Sequence, residues 1–342
     1  MNNAQKTFLK YVRTKMMFSL RFRSVENEMK PVHISANEIG QRFFPYPEFN
    51  RNKELQDLHE AGEIKITQEG KAYFYEALKP GGYDLNLLLL RPIPKDRVTQ
   101  AMLKDIQKVS LLANAPSTPY FDLFLKYRDT KPELFFKVDD FCGRVHTPIS
   151  NFHRTHRHNI LLDNEITTSI DVTTMQPLLL GKIITNAIGN NEYSRWINEG
   201  KDIYIELQNK AGLNNRDAAK KKFFEILFSK PNNALKELFG GVEWINWINN
   251  YKQADEPANP HNKEKPHSNL AWLLQNTEVR IMGQVWTKLV SDNIPFLSVH
   301  DEIIVKETDF EQAKSIFEGI LRNEFEYFKL NFKCLPSNDE TL

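Results

Sequence analysis

The clearest alternation of apolar and polar positions lies between residues 296 and 335. Phe296-Leu297-Ser298-Val299 and Ile303-Ile304-Val305 flank His300-Asp301-Glu302, a pattern that predicts a hairpin over residues 296–306. Ala313, Ile316, Phe317, Ile320 and Leu321 then recur at helical spacing, so a helix is expected over 310–328, with a last strand at 330–335. Upstream, residues 165–173 read as a strand leading into an apolar helix at 177–188, and 216–228 read as a long basic helix. Residues 249–269 are polar, carry Pro257, Pro260 and Pro266 and lack apolar periodicity, so a loop or flexible insertion is expected there. Helical periodicity also covers 98–113 and the stretch around 121–127. Nearer the start, helices at 36–43 and 52–61 precede strands at 63–67 and 72–75 joined by the turn Gln68-Glu69-Gly70. Pro80-Gly81-Gly82 and Arg91-Pro92-Ile93-Pro94 punctuate the chain and place a boundary near residue 95. No internal repeat is visible.

The order of elements in residues 33–78 is similar to that of a winged helix, and a plain α+β lobe packed on the rest fits the same pattern. At 342 residues the chain is long enough for two domains of about 150 residues each, and a 41% hydrophobic fraction supports a buried core. Mean hydropathy is −0.51. Apolar stretches such as Leu87 to Leu90 and Pro177 to Gly181 fall far short of the about 20 residues that cross a bilayer. The start of the chain lacks the apolar block and cleavage site of a secretory signal, and Cys142 and Cys334 form no CxxC pair. The expectation is a cytoplasmic protein with no membrane partner.

A net charge of +1 argues neither for nor against nucleic acid, but its distribution is uneven. The first 32 residues carry seven Lys and Arg against Glu26 and Glu28, and residues 141–160 hold three Arg and four His with no acid.

Candidate chemistry centres on acids at strand ends. Asp301 and Glu302 sit at the expected hairpin turn, and Asp171 ends the expected strand before a helix. Carboxylates from separate strands can hold a pair of Mg²⁺ ions about 3.5 to 4 Å apart; a helix cap at Asp171 and a polar hairpin tip at 300–302 are the bland alternatives. Between them, Arg216, Lys220, Phe224 and Phe228 recur every four residues and drift along one helix face, cations suited to phosphates and rings to a base, or a solvated face continuing into core packing. His153, His156 and His158 have no second ligand cluster nearby, so backbone phosphate contact by Arg154 and Arg157, or an exposed basic loop, is expected in place of zinc. Asp139, Asp140 and Asp292 are expected to be solvated.

In that ordered set the chain resembles the polymerase domain of family A DNA polymerases, the DNA polymerase I type, and the related single-subunit phage-type RNA polymerases. Asp171-Val172-Thr173-Thr174-Met175-Gln176 resembles the family's first acidic motif, Gly200-Lys201-Asp202-Ile203-Tyr204 the segment before the fingers helix, residues 216–228 that helix, and Val299-His300-Asp301-Glu302 the second acidic motif. Gly143-Arg144 through Asn151 is similar to the segment that contacts primer and template, and the resemblance spans roughly residues 140–336. It implies that Asp171, Asp301 and the backbone of Val172 hold two Mg²⁺ ions, for which Mn²⁺ can substitute, with Glu302 a weaker third carboxylate. It implies that Arg216 and Lys220 grip the incoming triphosphate, Lys220 also donating a proton to the leaving pyrophosphate. Phe224 and Phe228 would meet the nucleotide and the templating base. Arg144, Asn151, Gln275 and His300 would contact primer and template. The family's DNA polymerases usually carry Glu where Gln176 stands and Tyr where Phe228 stands. Gln176 keeps the bulk that excludes a ribose 2′-hydroxyl, and Gln176→Glu is expected to tighten discrimination or leave it unchanged.

The resemblance implies an α+β right-hand architecture with palm, fingers and a reduced thumb, preceded by a winged-helix-like lobe. The expected domains are 1–95 (basic segment and accessory lobe), 96–140 (thumb-like helices) and 141–342 (palm and fingers), without room for a separate exonuclease domain. The expected activity is extension of a primer 3′ end with dNTPs on a primer-template, with replication proteins as further partners. An RNA polymerase or primase using the same site, and a non-catalytic DNA-binding replication protein, are the alternatives.

Overall fold

The computed structural model describes residues 1–19, 31–43, 51–69, 71–79, 81, 93–113, 115, 119–152, 157 and 159–335. Arg154 and the side chain of Asn151 therefore lie outside what is described. The chain forms two compact units: one of residues 1–92, 116–127 and 151–153, the other of 93–115, 128–150 and 154–342. Residues 96–140 are thus shared between the two units.

The first unit opens with α1 (Asn3–Ser19), followed by β1 (Val32–His33), α2 (Ala36–Phe43), α3 (Arg51–Glu60), β2 (Ile64–Glu69) and β3 (Ala72–Ala77). Phe8, Val12 and Met16 form the four-residue stripe of α1 that turns inward, joined by Tyr11, Ile39, Phe43, Leu58, Ile64 and Tyr75 in one buried cluster. The strands pair antiparallel in the order β1-β3-β2.

The chain continues in the second unit with α4 (Arg97–Gln107) and β4 (Val109–Leu111), contributes α5 (Pro119–Tyr127) to the first, and proceeds through β5 (Lys137–Val138), β6 (Val145–His146) and α6 (Pro148–Asn151). Next come β7 (Ile160–Leu162), β8 (Glu165–Val172), α7 (Met175–Ile188), α8 (Glu192–Asn198), α9 (Ile203–Ala211), α10 (Arg216–Phe228), α11 (Asn233–Leu238) and α12 (Glu243–Tyr251). The remainder is α13 (Asn269–Ser291), β9 (Phe296–Val299), β10 (Glu302–Lys306), α14 (Phe310–Glu324) and β11 (Leu330–Leu335). A six-stranded antiparallel sheet runs β4-β7-β8-β10-β9, with β11 on the other side of β8. Helices α7 and α14 pack against α13, which fills the core with Leu270, Leu274, Ile281, Met282, Val285 and Leu289. The result is a mixed α/β architecture around a curled antiparallel sheet. Among the described residues no helix is long and apolar enough to cross a membrane.

Several expected boundaries move for local reasons. The helix expected over 98–113 stops at Gln107, because Val109, Ser110 and Leu111 pair with Leu162, Leu161 and Ile160. The helix before residue 188 starts at Met175, so Pro177 occupies the first turn, where its missing N–H removes no intrahelical bond. The last helix ends at Glu324, and Phe325 is already extended (φ −135°, ψ 138°). Within 249–269, α12 reaches Tyr251, and the loop that follows is anchored by buried Asn259, whose amide donates to the Asn269 side chain at 2.7 Å. The 23-residue α13 begins where that loop ends, in a stretch to which the sequence reading assigned no element.

Candidate active site

The centre of the site is β8. Its β-branched run buries Thr167, Thr168, Ile170 and Val172 because neighbours cover both of its edges. Register then fixes what surrounds Asp171: Glu302 of β10 stands opposite it on one side and Asn331 of β11 on the other. Directly opposed residues in antiparallel strands point to the same face, so these three side chains share it. After Val172 the chain leaves the sheet through Thr174, in the left-handed conformation (φ 62°), and enters α7. The β9–β10 hairpin turns on His300 and Asp301, with His300 also left-handed (φ 59°), an uncommon state for a residue with a Cβ. That turn presents Asp301 at the rim where Asp171 ends.

A cavity of about 270 Å³ lies over this edge, lined by Arg157, Ser169, Asp171, Val299, His300, Asp301, Glu302, Asn331 and Lys333. Burial pushes the Asp301 carboxyl well above the ordinary carboxylate range, and the charges of Glu278 and Asp171 push it further in the same direction. Burial lowers the His300 imidazole to about 4, helped by the guanidinium groups of Arg144 and Arg157 and by the neighbouring His146, so the ring is neutral at pH 7. Its Nδ1 is buried without a hydrogen-bond partner among the described residues.

Two of the basic side chains assigned from sequence to nucleic acid, Arg144 and Arg157, are paired with acids within the protein. Arg157 Nη1 donates to Glu302 Oε2 at 3.0 Å, with both side chains under one-fifth exposed, so it stands in the cavity wall and not on an exposed loop. Arg144 makes a double bond-pair with Glu278, Nη2 donating at 2.7 and 2.8 Å and Nε at 3.0 Å. Glu278 is 3% exposed at its side chain, and its Oε2 also accepts from Gln176 Nε2. Gln275, one turn earlier on α13, accepts from the Cys142 thiol at 3.4 Å. Burial lifts that thiol to about 11.

Asp139 is not the solvated acid expected from sequence. Its Oδ1 accepts from the backbone N–H groups of Phe141, Cys142 and Gly143, and Oδ2 meets His146 Nε2 at 3.2 Å. The His146 ring stands edge-on to His300 at 5.8 Å, so Asp139 buttresses the hairpin turn through two imidazoles. Asp292 likewise has a partner, accepting from Lys288 at 2.6 Å.

Helix α10 carries the cationic and aromatic stripe. Ala219, Phe223, Ile226 and Leu227 form its buried face, which leaves Arg216, Lys220, Phe224 and Phe228 on the other side. Phe224 and Phe228 stack at 5.6 Å. Arg216 donates to Asp202 at 2.8 Å and lies 4.8 Å over the Tyr204 ring, while Lys220 lies 5.8 Å over the same ring. The far end of α10 is held by Lys252, whose buried ammonium donates to the carbonyls of Ile226 and, at 2.7 Å, Ser229. With no acid beside it, burial lowers Lys252 to about 8.

A second cavity of about 190 Å³ joins the end of β8 to the start of α10, lined among others by Thr173, Thr174, Lys201, Arg216, Tyr327 and Lys329. Gly200 stands in its wall with φ +68°, a left-handed conformation that favours glycine, and its open side is covered by the Tyr327 ring. Lys329, Asn331, Lys333 and Glu278 escaped the sequence reading, and Lys201 stands there without a role of its own. Three of them come from the segment around β11, whose neighbours are set by sheet pairing. Glu278 could have been found as a charge on the apolar stripe of α13.

Among the described residues no group of three or more His, Cys, Asp or Glu is arranged to hold a metal ion. The fit to a divalent cation rests on donor chemistry: two hard carboxyl groups at one cavity edge, one of them raised above the ordinary carboxylate range by burial and like charge, which a cation beside it would offset.

No family model matches the chain, and no curated protein matches it. Among solved structures it is similar to the POL domain of Pol1 from M. smegmatis, in a complex with DNA primer-template and dNTP, with a TM-score of 0.48 and 11% identity. The match covers 59% of this chain and 47% of that one, so the chain spans about half the length of the structure it resembles. Similarity of that extent leaves the function to be read from this chain's own residues.

Proposed function

We propose that the chain is a template-directed DNA polymerase that extends a primer 3′ end with dNTPs. The observation that carries this reading is the placing of Asp171 and Asp301 on adjoining strand ends at one cavity, with a cation-lined cavity continuing from the end of β8 to Arg216 on α10. Asp171, Asp301 and the Val172 carbonyl are the groups that would hold Mg²⁺, which supplies activation of an attacking hydroxyl and neutralisation of the leaving pyrophosphate when bound.

The chain's own residues then divide the work. Arg216, held in place by Asp202 and Tyr204, receives the triphosphate at the positive end of α10, with Lys201 and Lys329 across the cavity. Lys220, the next cation on the stripe, donates a proton to the departing pyrophosphate. The stacked Phe224 and Phe228 offer a flat apolar surface to the nucleobase pair. Neutral His300 at the hairpin tip faces the primer terminus without adding charge. Residues 3–77, in the order helix, strand, two helices and two strands, are read as a winged-helix-like accessory lobe.

The test is primer extension by purified protein on one primer-template, with the dNTP and rNTP sets supplied separately. Extension with dNTPs, abolished by Asp301→Asn in a protein that still folds and binds duplex, supports the reading. Preferential use of rNTPs moves the assignment to an RNA polymerase or primase, and duplex binding without extension moves it to a replication protein without catalysis.

A further inference from the structure

We propose that Glu278 is the positioning residue of sugar selection: one buried carboxylate holds Gln176 and Arg144 together, so that choice of the incoming sugar and grip on the primer end are joined. The inference rests on the polymerase reading above, in which Gln176 lies under the sugar and Arg144 reaches the primer.

A carboxylate with a 3% exposed side chain in the middle of a core helix is held by its partners alone. Oε1 of Glu278 accepts from Arg144 Nε and Nη2, and Oε2 accepts from Arg144 Nη2 and from Gln176 Nε2. Those bonds occupy both oxygens. They also fix the Gln176 amide, because reversing it would set Oε1 against the lone pairs of a carboxylate. With its N–H given to Glu278, the amide turns its acceptor the other way, and that Oε1 is buried with no partner among the described residues. Nor does any other bond orient this side chain in the described structure. The position of Gln176 is therefore Glu278's to set.

The pair also explains why residue 176 is Gln. A Glu there would bring a second carboxylate within hydrogen-bond distance of Glu278 at a buried site, where like charges cannot both ionise. On this proposal Gln176→Glu weakens nucleotide use, where sequence alone leads one to expect tighter or unchanged discrimination, because the negative charge already stands one side chain deeper, on α13.

The experiment is a set of variants, Gln176→Ala, Glu278→Gln, their double mutant, Gln176→Glu and the exchange Gln176→Glu with Glu278→Gln, each read for folding stability and for the ratio of kcat/KM with a matched dNTP and rNTP. Gln176→Ala and Glu278→Gln are each expected to lower that ratio roughly tenfold, with no further loss in the double mutant. Gln176→Glu is expected to lose roughly tenfold or more in dNTP use, and Glu278→Gln to restore most of it. Should Glu278→Gln not purify, Glu278→Asp keeps a charge for Arg144 but draws it back from Gln176, and is expected to lower the ratio while leaving KM for primer-template within about twofold. Multiplying effects, an unrestored exchange, or stability changes with an unmoved ratio would each overturn the proposal and leave a plain buried ion pair. A wild type that extends no primer with either nucleotide set overturns the polymerase reading and this proposal together; an active wild type with an unmoved ratio overturns the proposal alone.

Discussion

Glu302 stands directly opposite Asp171 across the β8–β10 pair, yet its carboxylate is bonded to Arg157. The acid that register brings nearest to Asp171 is thus already paired with a cation, whereas Asp301, one residue earlier in the turn, makes no ion pair among the described residues. On the proposed reading, Mg²⁺ is expected to raise the Tm of the wild type, and Asp301→Asn is expected to fold as well and to lack that rise. At a hundred times its Kd the ion adds about 2.7 kcal/mol, a shift of several degrees in a thermal melt. A full Mg²⁺-dependent shift in Asp301→Asn would place the cation elsewhere.

Arg157→Ala leaves Glu302 partly buried and unpaired at the cavity edge. The expected loss is about 1 to 2 kcal/mol in chemical denaturation, recovered in large part by adding Glu302→Gln. Equal stability of wild type and Arg157→Ala would show the pair to be inert.

Arg144→Ala strands Glu278 deeper still. Removing one member of such a pair costs about 3 to 5 kcal/mol, so this variant is expected to lose stability before any effect on primer binding is read. Arg144→Ala with Glu278→Gln separates the two: stability returns, while affinity for primer-template stays low in a filter or anisotropy assay.

Lys252 makes a prediction in alkaline solution. Its folded pKa of about 8 lies below the unfolded value near 10.4, so between those pH values the unfolded chain binds the proton more strongly and stability from this group rises with pH. The gain is at most about 3 kcal/mol across that window. Lys252→Met is expected to lack the rise, measured as the difference between wild-type and variant denaturation midpoints at pH 7.5 and 10. A difference that does not change with pH would mean that the ammonium is not buried as described.

On α10, Arg216 is braced by Asp202 and Tyr204, whereas Lys220 is exposed and lies over the Tyr204 ring without an ion pair among the described residues. Arg216→Ala is expected to raise KM for dNTP roughly tenfold, and Lys220→Ala to act mainly on kcat. Steady-state kinetics on one primer-template distinguishes them, and unchanged constants in both variants would remove α10 from the nucleotide site.

What could be read from sequence was local. Asp171 at a strand end, Asp301 in a two-residue turn and the four-residue stripe of α10 are patterns of spacing, and each appears in the structure where spacing put it. What could not be read depended on partners distant in the chain. Asn331 reaches Asp171 only through antiparallel pairing of β11, and Arg144 and Arg157 look like free cations until α13 and β10 bring Glu278 and Glu302 to them. Glu278 itself was hidden behind a polar, proline-bearing loop that masked the start of α13, although Leu274, Ile281 and Met282 around it keep helical spacing.

The placing of β8 between β10 and β11 bears on how the protein must be made. A ribosome finishes β8 long before β10 or β11 emerges, so Thr167 to Val172 wait with both backbone edges open along their central stretch. Such a β-branched run is an invitation to pair with another nascent chain. Truncations that end before residue 302 are therefore expected to collect in inclusion bodies, and slow, cool expression of the full chain to improve recovery. The same late closure means that the acid pair does not exist on a partly synthesised molecule: Asp171 meets Asp301 only after the hairpin has been made, which keeps incomplete chains from carrying a half-formed candidate site.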